Sequence, residues 1–457
     1  MRHCQKGQNN AKWGWGILLV FVLNSRKKYI SFFILLGCLL FLVVPSLFAQ
    51  MSAGVSALDA SFPKGDNLTL KIAVMGTGDE LYFWFGHIAL VAEDNVTGQA
   101  KLYDWGVFSF DTDNFYSNFA FGRLIYCCMV SRADLNYAAY IQRNRDITLY
   151  TLDLSAEKKE EIVRFADNNV LPENRDYAYH HFKDNCATRI RDIIDMAVGG
   201  QFRAEFGNMP GRFTYRQHVR RHTWFNPFYD WILNFWMGQD IDKPTTVWEE
   251  MFLPSEIAAR IKDFRYTAPG GAEKQLVSRT EVLYSASKRP AVLDTPRLQW
   301  PRELIASSLF SCLLLALYFS RKKIKGFRVI MGLVQALLGI FFGIAGSALF
   351  FMSFFTNHDY TYHNSNIFFV NPLLFAAVPL ALIFAFTKNK KKRFVVTRLL
   401  RFLWTYVLLG GLLTMVIKLS PAFYQQNQTD VALVLPIAFC LAFIMLREGS
   451  LKNMENS

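Results

Sequence analysis

Apolar positions concentrate near the two ends of the 457-residue chain, whereas the long middle part mixes apolar and polar positions. A membrane-spanning helix needs about 20 apolar residues. The C-terminal third contains five runs of nearly that length or longer, at 303–320, 328–355, 367–387, 402–419 and 431–446. This pattern predicts a bundle of five membrane helices behind a long water-exposed domain.

A further apolar run, residues 29–48, lies near the N-terminus. The basic residues Arg26, Lys27 and Lys28 precede this run, and the small residue Ala49 follows it. A basic segment, an apolar segment and a small residue together are typical of an export signal. A cleaved signal and an uncleaved anchor both fit the pattern, and either would export the domain that follows.

The loops between the C-terminal runs alternate in charge. Residues 321–325 and 388–393 are rich in Lys and Arg, whereas residues 356–366 and 421–430 contain neither. Basic loops stay in the cytoplasm. The first C-terminal run therefore passes from outside to inside, in agreement with the export signal. We expect a multi-pass membrane protein whose middle domain lies outside the cytoplasm.

The middle part reads as a mixed domain of strands and helices. Alternating positions predict strands over 68–77, 87–94, 100–106, 123–131 and 147–154, the second and third joined as a hairpin. Helical spacing predicts helices over 154–170 and 183–200, the second ended by Gly199 and Gly200. The predicted organisation has five parts. They are an N-terminal extension with a signal or anchor at 1–50, an exported domain at 51–265, a connector rich in Pro, Gly and Ser at 266–301, a membrane domain at 302–449 and a cytoplasmic tail at 450–457.

Composition narrows the class of protein. Charged residues make up 19% of the chain, below the 25% or so of soluble proteins, which argues against disorder and against a wholly soluble enzyme. The net charge of +13 would suit a nucleic-acid partner, but the basic clusters are explained by membrane topology, so none is predicted. Of the seven cysteines, only Cys127, Cys128 and Cys186 fall in the exported domain, and they form no evident disulfide framework.

Two residues of the exported domain suggest chemistry. Cys186 falls in the first turn of a predicted helix that Asp184 or Asn185 can cap, and the positive end of a helix favours a thiolate. His87 opens a predicted strand directly after Gly86. Each alone fits a structural role, but together they indicate a thiol nucleophile and its base.

A third group commonly orients a catalytic histidine. Asp104, on the neighbouring strand of the hairpin, is the candidate, and a solvated acid at the edge of the sheet is the alternative. Arg189, one turn after Cys186, suits either a phosphate head group or solvent. The segment 224–238, rich in Trp and Phe, is predicted either to lie in the head-group plane or to pack as a buried helix.

The stretches around these residues resemble a known family. Phe85-Gly86-His87 on a strand and the sequence DNCATR at 184–189 resemble the circularly permuted papain-like fold of lecithin–retinol acyltransferase and NlpC-type enzymes. The whole layout, with matching stretches at 78–90, 103–116, 121–127, 171–194 and 363–373, is similar to the Bacteroides-type bacterial lipoprotein N-acyltransferases. The resemblance covers about 65–449. It implies an α+β permuted papain-like exported domain followed by an all-α transmembrane bundle.

The resemblance also implies a reaction. Cys186 would take a fatty acyl chain from a membrane phospholipid as a thioester, and the α-amino group of a diacylglyceryl-cysteine on a lipoprotein would accept it. His87 would move the protons, and the backbone N–H of Cys186 would bind the oxyanion. No cofactor and no metal are expected. The predicted substrate-binding residues are Arg189, Asn185, His358, Asn364 and Asn366, the last three in a loop outside the membrane.

Three other functions remain open. A Cys–His site of this kind also suits a cell-wall peptidase or amidase, although five membrane spans exceed that need. A phospholipase would let water resolve the thioester. A non-catalytic envelope receptor or transporter subunit would keep its function after Cys186→Ser.

Overall fold

The structure is a computed structural model that describes residues 65–108 and 114–449. The predicted signal or anchor at 29–48 and the predicted tail at 450–457 lie outside the described residues. What the structure describes is an exported domain built on one β-sheet and a C-terminal bundle of helices.

The exported domain is organised around a seven-stranded sheet in which all neighbouring strands are antiparallel. Its order is β6-β4-β3-β2-β1-β5-β9, and β7 and β8 form a separate two-stranded ribbon. The strands are β1 (Leu68–Met75), β2 (His87–Asp94), β3 (Ala100–Val107), β4 (Ile125–Arg132), β5 (Ile147–Leu152), β6 (Asp176–Ala178), β7 (Arg265–Thr267), β8 (Glu273–Gln275) and β9 (Val277–Tyr284). The five strands predicted from alternation are confirmed as β1 to β5.

Nine helices of the described residues belong to this domain. They are α1 (Phe115–Ala120), α2 (Ala133–Gln142), α3 (Ala156–Asn169), α4 (Cys186–Ala197), α5 (Gln201–Phe206), α6 (Tyr215–Thr223), α7 (Pro227–Trp236), α8 (Val247–Glu250) and α9 (Pro254–Ile261). The apolar stripe of α4, including Ile190 and Ile194, packs on the sheet residues Ile88, Leu90 and Tyr103. The nucleophile candidate therefore opens a helix that the core holds against the sheet.

The structure differs from the prediction of a connector at 266–301, because part of this segment is folded into strands. Its first part forms β7, β8 and β9, and β9 pairs with β5 as the edge strand of the main sheet. Most residues of β9 are exposed, with Val277 buried. An edge strand that buries so few side chains carries little alternation, which is why its sequence resembles a linker. The exported domain thus extends to Tyr284.

Within the described residues, five C-terminal segments are long and apolar enough to cross a membrane, at Trp300–Phe319, Phe327–Phe355, Ser365–Phe386, Lys390–Ile417 and Gln428–Glu448. The third begins with short 3₁₀ turns. The corresponding helices are α10 (Trp300–Phe319), α11 (Phe327–Phe355), α12 (Ala377–Phe386), α13 (Lys390–Ile417) and α14 (Gln428–Glu448). The five predicted membrane runs are confirmed.

The helix α7 joins the exported domain to the membrane domain. Trp231, Phe235 and Trp236 are buried in the same apolar cluster as residues of the membrane helices. The ring of Trp231 stacks on Phe341 of α11 at a centroid distance of 5.4 Å. Of the two interpretations of segment 224–238, the buried helix holds for these residues, while Phe228 on the same helix stays 48% exposed.

Candidate active site

The hairpin of β2 and β3 places His87 beside Asp104. Val91 pairs with Leu102 in this hairpin, so continuing the register sets Ala89 opposite Asp104. Side chains two residues apart on a strand share a face, which puts His87 and Asp104 on the same face as diagonal neighbours. The Nε2 atom of His87 lies 2.6 Å from Oδ1 of Asp104, and the two side chains are only 16% and 14% exposed.

The N-terminus of α4 is closed by a capping box around Asn185. Its side-chain oxygen accepts hydrogen bonds from the backbone N–H groups of Ala187 and Thr188, both at 2.9 Å. Its amide nitrogen donates to the carbonyl oxygens of His181 and Phe252. Asn185 therefore acts as the cap, one of the two predicted alternatives. The cap leaves the N–H of Cys186 itself for another acceptor, and the side chain of Cys186 stands at the start of the helix.

Gly106 lets the nucleophile approach the hairpin. It has a φ of +89° and lies at an irregularity of β3 between Trp105 and Val107. A Cβ atom added at Gly106 would lie 3.7 Å from Cβ of Cys186 and 3.3 Å from Cε2 of Tyr179. The backbone of β3 at Gly106 thus lies directly against Cys186, which is 9% exposed.

The electrostatics of His87 favour its protonated form. Burial by itself lowers the pKa of the imidazolium, but the charges of Asp104, Tyr140 and Cys186 outweigh it and raise the pKa well above the ordinary value. The ring of Tyr140 lies nearly parallel to that of His87, with 6.4 Å between centroids. Asp104 takes Nε2, and Cys186 lies near enough to influence the charge of the ring.

Two tyrosines that the sequence analysis missed line the nucleophile. Tyr177 and Tyr179 alternate along and just after β6, directly before the turn that leads to Cys186. Burial first, and then the charge of Cys186, raise the pKa of both phenols, so both hydroxyl groups stay protonated. Tyr179 also stacks on Tyr126 at 4.3 Å between centroids. The alternation of tyrosines in DYAYHH was the available signal, but it does not reveal which helix the rings face.

Arg189 is engaged within the protein. Its guanidinium donates two hydrogen bonds to the carboxylate of Asp184, at 2.6 and 2.7 Å. It also lies over the ring of Tyr177 at 4.3 Å. Arg189 lines a surface groove with Lys183 and Asp192. Its predicted contact with a phosphate head group stays a prediction, and any such phosphate would share the arginine with Asp184.

The three predicted binding residues of the membrane domain are buried. His358 hydrogen-bonds the carbonyl oxygen of Phe119 at 3.1 Å and is 6% exposed. Asn364 and Asn366 are buried, and both donate to the carbonyl oxygen of Phe235 at the end of α7. The structure places these residues in the contact between the two domains, and their role in binding substrate stays a prediction.

The described residues contain no group of three or more His, Cys, Asp or Glu side chains that is suited to hold a metal ion. A thiol at a helix N-terminus, a protonated imidazole and an orienting carboxylate are the parts of a nucleophilic acyl-transfer site. Five apolar helices follow the domain that carries them.

This combination defines a multi-pass membrane protein whose external domain carries a Cys–His–Asp arrangement. Two family models match the chain: the Lnb N-terminal periplasmic domain over residues 61–221 and the Lnb transmembrane domain over residues 300–449. The chain belongs to the Lnb-type lipoprotein N-acyltransferase family, and its exported domain is periplasmic. Neither a curated protein nor a solved structure matches the chain.

Proposed function

We propose that this protein transfers a fatty acyl chain from a membrane phospholipid to the α-amino group of a lipoprotein N-terminal diacylglyceryl-cysteine, in the bacterial inner membrane. The observation that carries the proposal is the setting of Cys186. It opens a capped helix, lies against Gly106 and interacts electrostatically with a histidine that Asp104 orients. Membership of the Lnb family supports the same reaction.

In the first half-reaction, the thiolate of Cys186 attacks the carbonyl carbon of a phospholipid ester. The oxyanion accepts a hydrogen bond from the N–H of Cys186, which the Asn185 cap leaves available. As the ester bond breaks, the proton on Nδ1 of His87 passes to the leaving glyceryl alkoxide. The products are an acyl thioester on Cys186 and a lysophospholipid.

In the second half-reaction, the neutral His87 accepts a proton from the attacking amine. The amine nitrogen forms an amide bond to the acyl carbon, and the thiolate of Cys186 leaves. The imidazolium and thiolate are thereby restored. An amine attacks a thioester readily, so no external energy source is needed.

The contact between the domains supports a lipid donor. The helix α7 is buried among membrane helices through Trp231 and Phe235, and His358 of the membrane domain touches the carbonyl oxygen of Phe119 in α1. The exported domain is thus held against the bundle instead of hanging from a tether. A soluble cell-wall peptide substrate would not require such docking.

Mass analysis of lipoprotein N-termini tests the proposal. Cells that carry only the wild-type protein should make triacylated N-terminal peptides, and cells with only Cys186→Ser should make diacylated ones. Triacylation that persists in the Cys186→Ser cells would refute the proposal. Release of free fatty acid without amide formation would favour a phospholipase, and cleavage of peptidoglycan peptides would favour an amidase.

A further inference from the structure

The loop between the second and third membrane segments, residues 356–364, is here named the outer loop. It docks on the exported domain through backbone contacts: the N–H of Asn357 donates to Phe121 at 2.9 Å, and the N–H of Gly238 donates to the carbonyl oxygen of Tyr360 at 2.8 Å. A Cβ atom at Gly122 would lie 2.8 Å from the backbone nitrogen of His358. The close approach at Gly122 shows that the loop is seated directly on the end of α1.

Asp359 of the outer loop contacts residues of the segment that precedes Cys186. Its Oδ1 atom lies 2.8 Å from Nε2 of His180, and its Oδ2 atom accepts a hydrogen bond from Lys183, also at 2.8 Å. The hydrogen bond from His180 and then that from Lys183 keep the pKa of Asp359 well below its usual range. Because Lys183 is 65% exposed, its ion pair adds little, and the contact with His180 is the one that matters.

His180 organises a tight turn next to Cys186. Its Nδ1 atom accepts hydrogen bonds from the backbone N–H groups of Phe182 and Lys183, both at 3.1 Å. Its backbone exchanges two hydrogen bonds with that of Asp184, at 2.8 and 3.1 Å. The turn ends at Asp184, which is followed directly by the cap Asn185 and then by Cys186.

The tautomer of His180 connects these observations. An imidazole whose Nδ1 atom accepts must carry its proton on Nε2, and Asp359 is the acceptor for that proton. Without Asp359, the ring is free to adopt the other tautomer, in which Nδ1 carries the proton and cannot accept. The two backbone hydrogen bonds inside the turn would then be lost, just ahead of the capped start of α4.

We propose that Asp359 is a positioning residue for Cys186, because it fixes the tautomer of His180 and thereby the turn that precedes the nucleophile. The inference rests on the proposed function for its meaning in catalysis. It gives the membrane domain a second role besides anchoring: the nucleophile is correctly set only while the outer loop is seated on the exported domain.

The test compares Asp359→Ala and Asp359→Asn in the full-length protein in lipid nanodiscs. The readout is the rate at which Cys186 is acylated as phospholipid concentration varies. Asp359→Ala should lower kcat about 10- to 100-fold, because a misplacement of about 1 Å at the reacting group can cost about 10²-fold, with little change in KM. Asp359→Asn should restore most of the rate, because its amide oxygen still accepts from His180.

A matched control is a second contact that the same loop makes with the exported domain. Asp240 of the exported domain bonds His363 of the outer loop at 2.9 Å, so it also joins a carboxylate to a histidine between the domains, but away from the 180–184 turn. Asp240→Ala should leave the acylation rate close to wild type. An Asp359→Ala protein that behaves like Asp240→Ala would overturn the inference, as would an Asp359→Asn protein as impaired as Asp359→Ala.

A second readout separates positioning from acyl transfer. Alkylation of Cys186 by iodoacetamide, followed on its peptide by mass spectrometry, should be slower in Asp359→Ala and near normal in Asp359→Asn. His180→Ala should slow it as well, and the double variant His180→Ala with Asp359→Ala should be no slower than the single ones. Additive effects would overturn the inference. If this pattern holds in a protein that transfers no acyl chain, the proposed function fails while the positioning role stands.

If Asp359→Ala alone does not fold, Asp359→Asn and His180→Ala still decide the outcome. A near-normal Asp359→Asn with a slow His180→Ala supports the inference. Equal rates in these two variants contradict it.

Discussion

The exported domain contains two buried histidine–carboxylate pairs with opposite surroundings. In the first, Nε2 of His87 lies 2.6 Å from Asp104; in the second, Nε2 of His218 lies 3.0 Å from Glu250. The other nitrogen of His218 accepts from Arg221 at 2.8 Å. No arginine or lysine of the described residues is seen bonded to the other nitrogen of His87, and the charge of Cys186 acts on this ring instead.

The difference teaches that the pair itself does not define a catalytic site. Glu250 also accepts hydrogen bonds from the backbone N–H groups of Arg212 and Phe213, so His218 and Glu250 hold loops together. Both ring nitrogens of His218 are used in hydrogen bonds within the protein. What distinguishes His87 is its electrostatic interaction with Cys186, the proposed nucleophile, and the predictions below test that distinction.

Replacing the nucleophile should have the largest effect. Cys186→Ala removes the atom that carries the acyl chain, and loss of a nucleophile can cost as much as about 10⁶-fold in rate. The thermal midpoint of the purified protein should change little, because Cys186 fills a small volume at the start of α4. Quantification of acyl transfer to a diacylated lipopeptide checks the rate. Retained activity would contradict the assignment.

The two histidines should separate function from stability. His87→Ala should lower acyl transfer by about 10²- to 10⁴-fold with a minor change in unfolding. His218→Ala removes one hydrogen-bond partner from each of the buried residues Glu250 and Arg221, and the loss of a buried partner costs about 1–3 kcal/mol. It should therefore lower the unfolding midpoint while the rate per folded molecule stays near wild type. Chemical denaturation and activity assays measure both. A His87→Ala protein that loses stability but keeps its rate, together with a His218→Ala protein that loses its rate but keeps stability, would contradict the comparison.

Asp104→Asn should shift the pH dependence of acylation. The charge of Asp104 helps to raise the pKa of His87, and an adjacent opposite charge is worth about 1–3 pKa units. The protonated ring is the acid for the leaving group, so activity is present at low pH and is lost as pH rises through the pKa of His87. Without the charge, this loss should move to lower pH by about 1–3 units, and the rate should fall most in the pH range between the old and the new pKa of His87. A pH–rate profile that keeps its alkaline limb would refute this account.

Gly106→Ala should have the smallest effect. An alanine at a φ of +89° is strained by about 1–3 kcal/mol, and its methyl group would press on Tyr179 at 3.3 Å and contact Cys186 at 3.7 Å. We expect a lower unfolding midpoint and a rate loss of less than about 10². Gly98→Ala is a matched control, since Gly98 has a φ of +70° and open space around it. Gly98→Ala should lower the unfolding midpoint without lowering the rate. Equal rates in the two variants would contradict a role of Gly106 in the site.

The sequence predicts the parts of the site that depend on local patterns. The hairpin follows from alternation around Thr97 and Gly98, and it places Asp104 near His87. The position of Cys186 follows from the capping signal at Asn185. The predicted five membrane segments are equally local, because each depends only on length and apolarity.

Contacts between residues far apart in the chain could not be predicted from the sequence. His180 and Asp359 are 179 positions apart, and no periodic pattern connects them. Asn364 and Asn366 are predicted to bind substrate because they are polar and lie outside the membrane. Their hydrogen bonds to the end of α7 follow from no local pattern. The edge strand β9 was missed because exposed residues need no alternation. In each case the deciding fact is which distant backbone packs nearby.

The central claim is that Cys186 carries the acyl chain, and trapping the intermediate tests it most directly. The purified protein is incubated with phospholipid in the absence of an amine acceptor, digested, and examined by mass spectrometry. The account predicts a fatty acyl group on the peptide that contains Cys186, removed by hydroxylamine as a thioester and missing in His87→Ala. An unmodified Cys186 in a preparation that transfers acyl chains once the acceptor is added would contradict it.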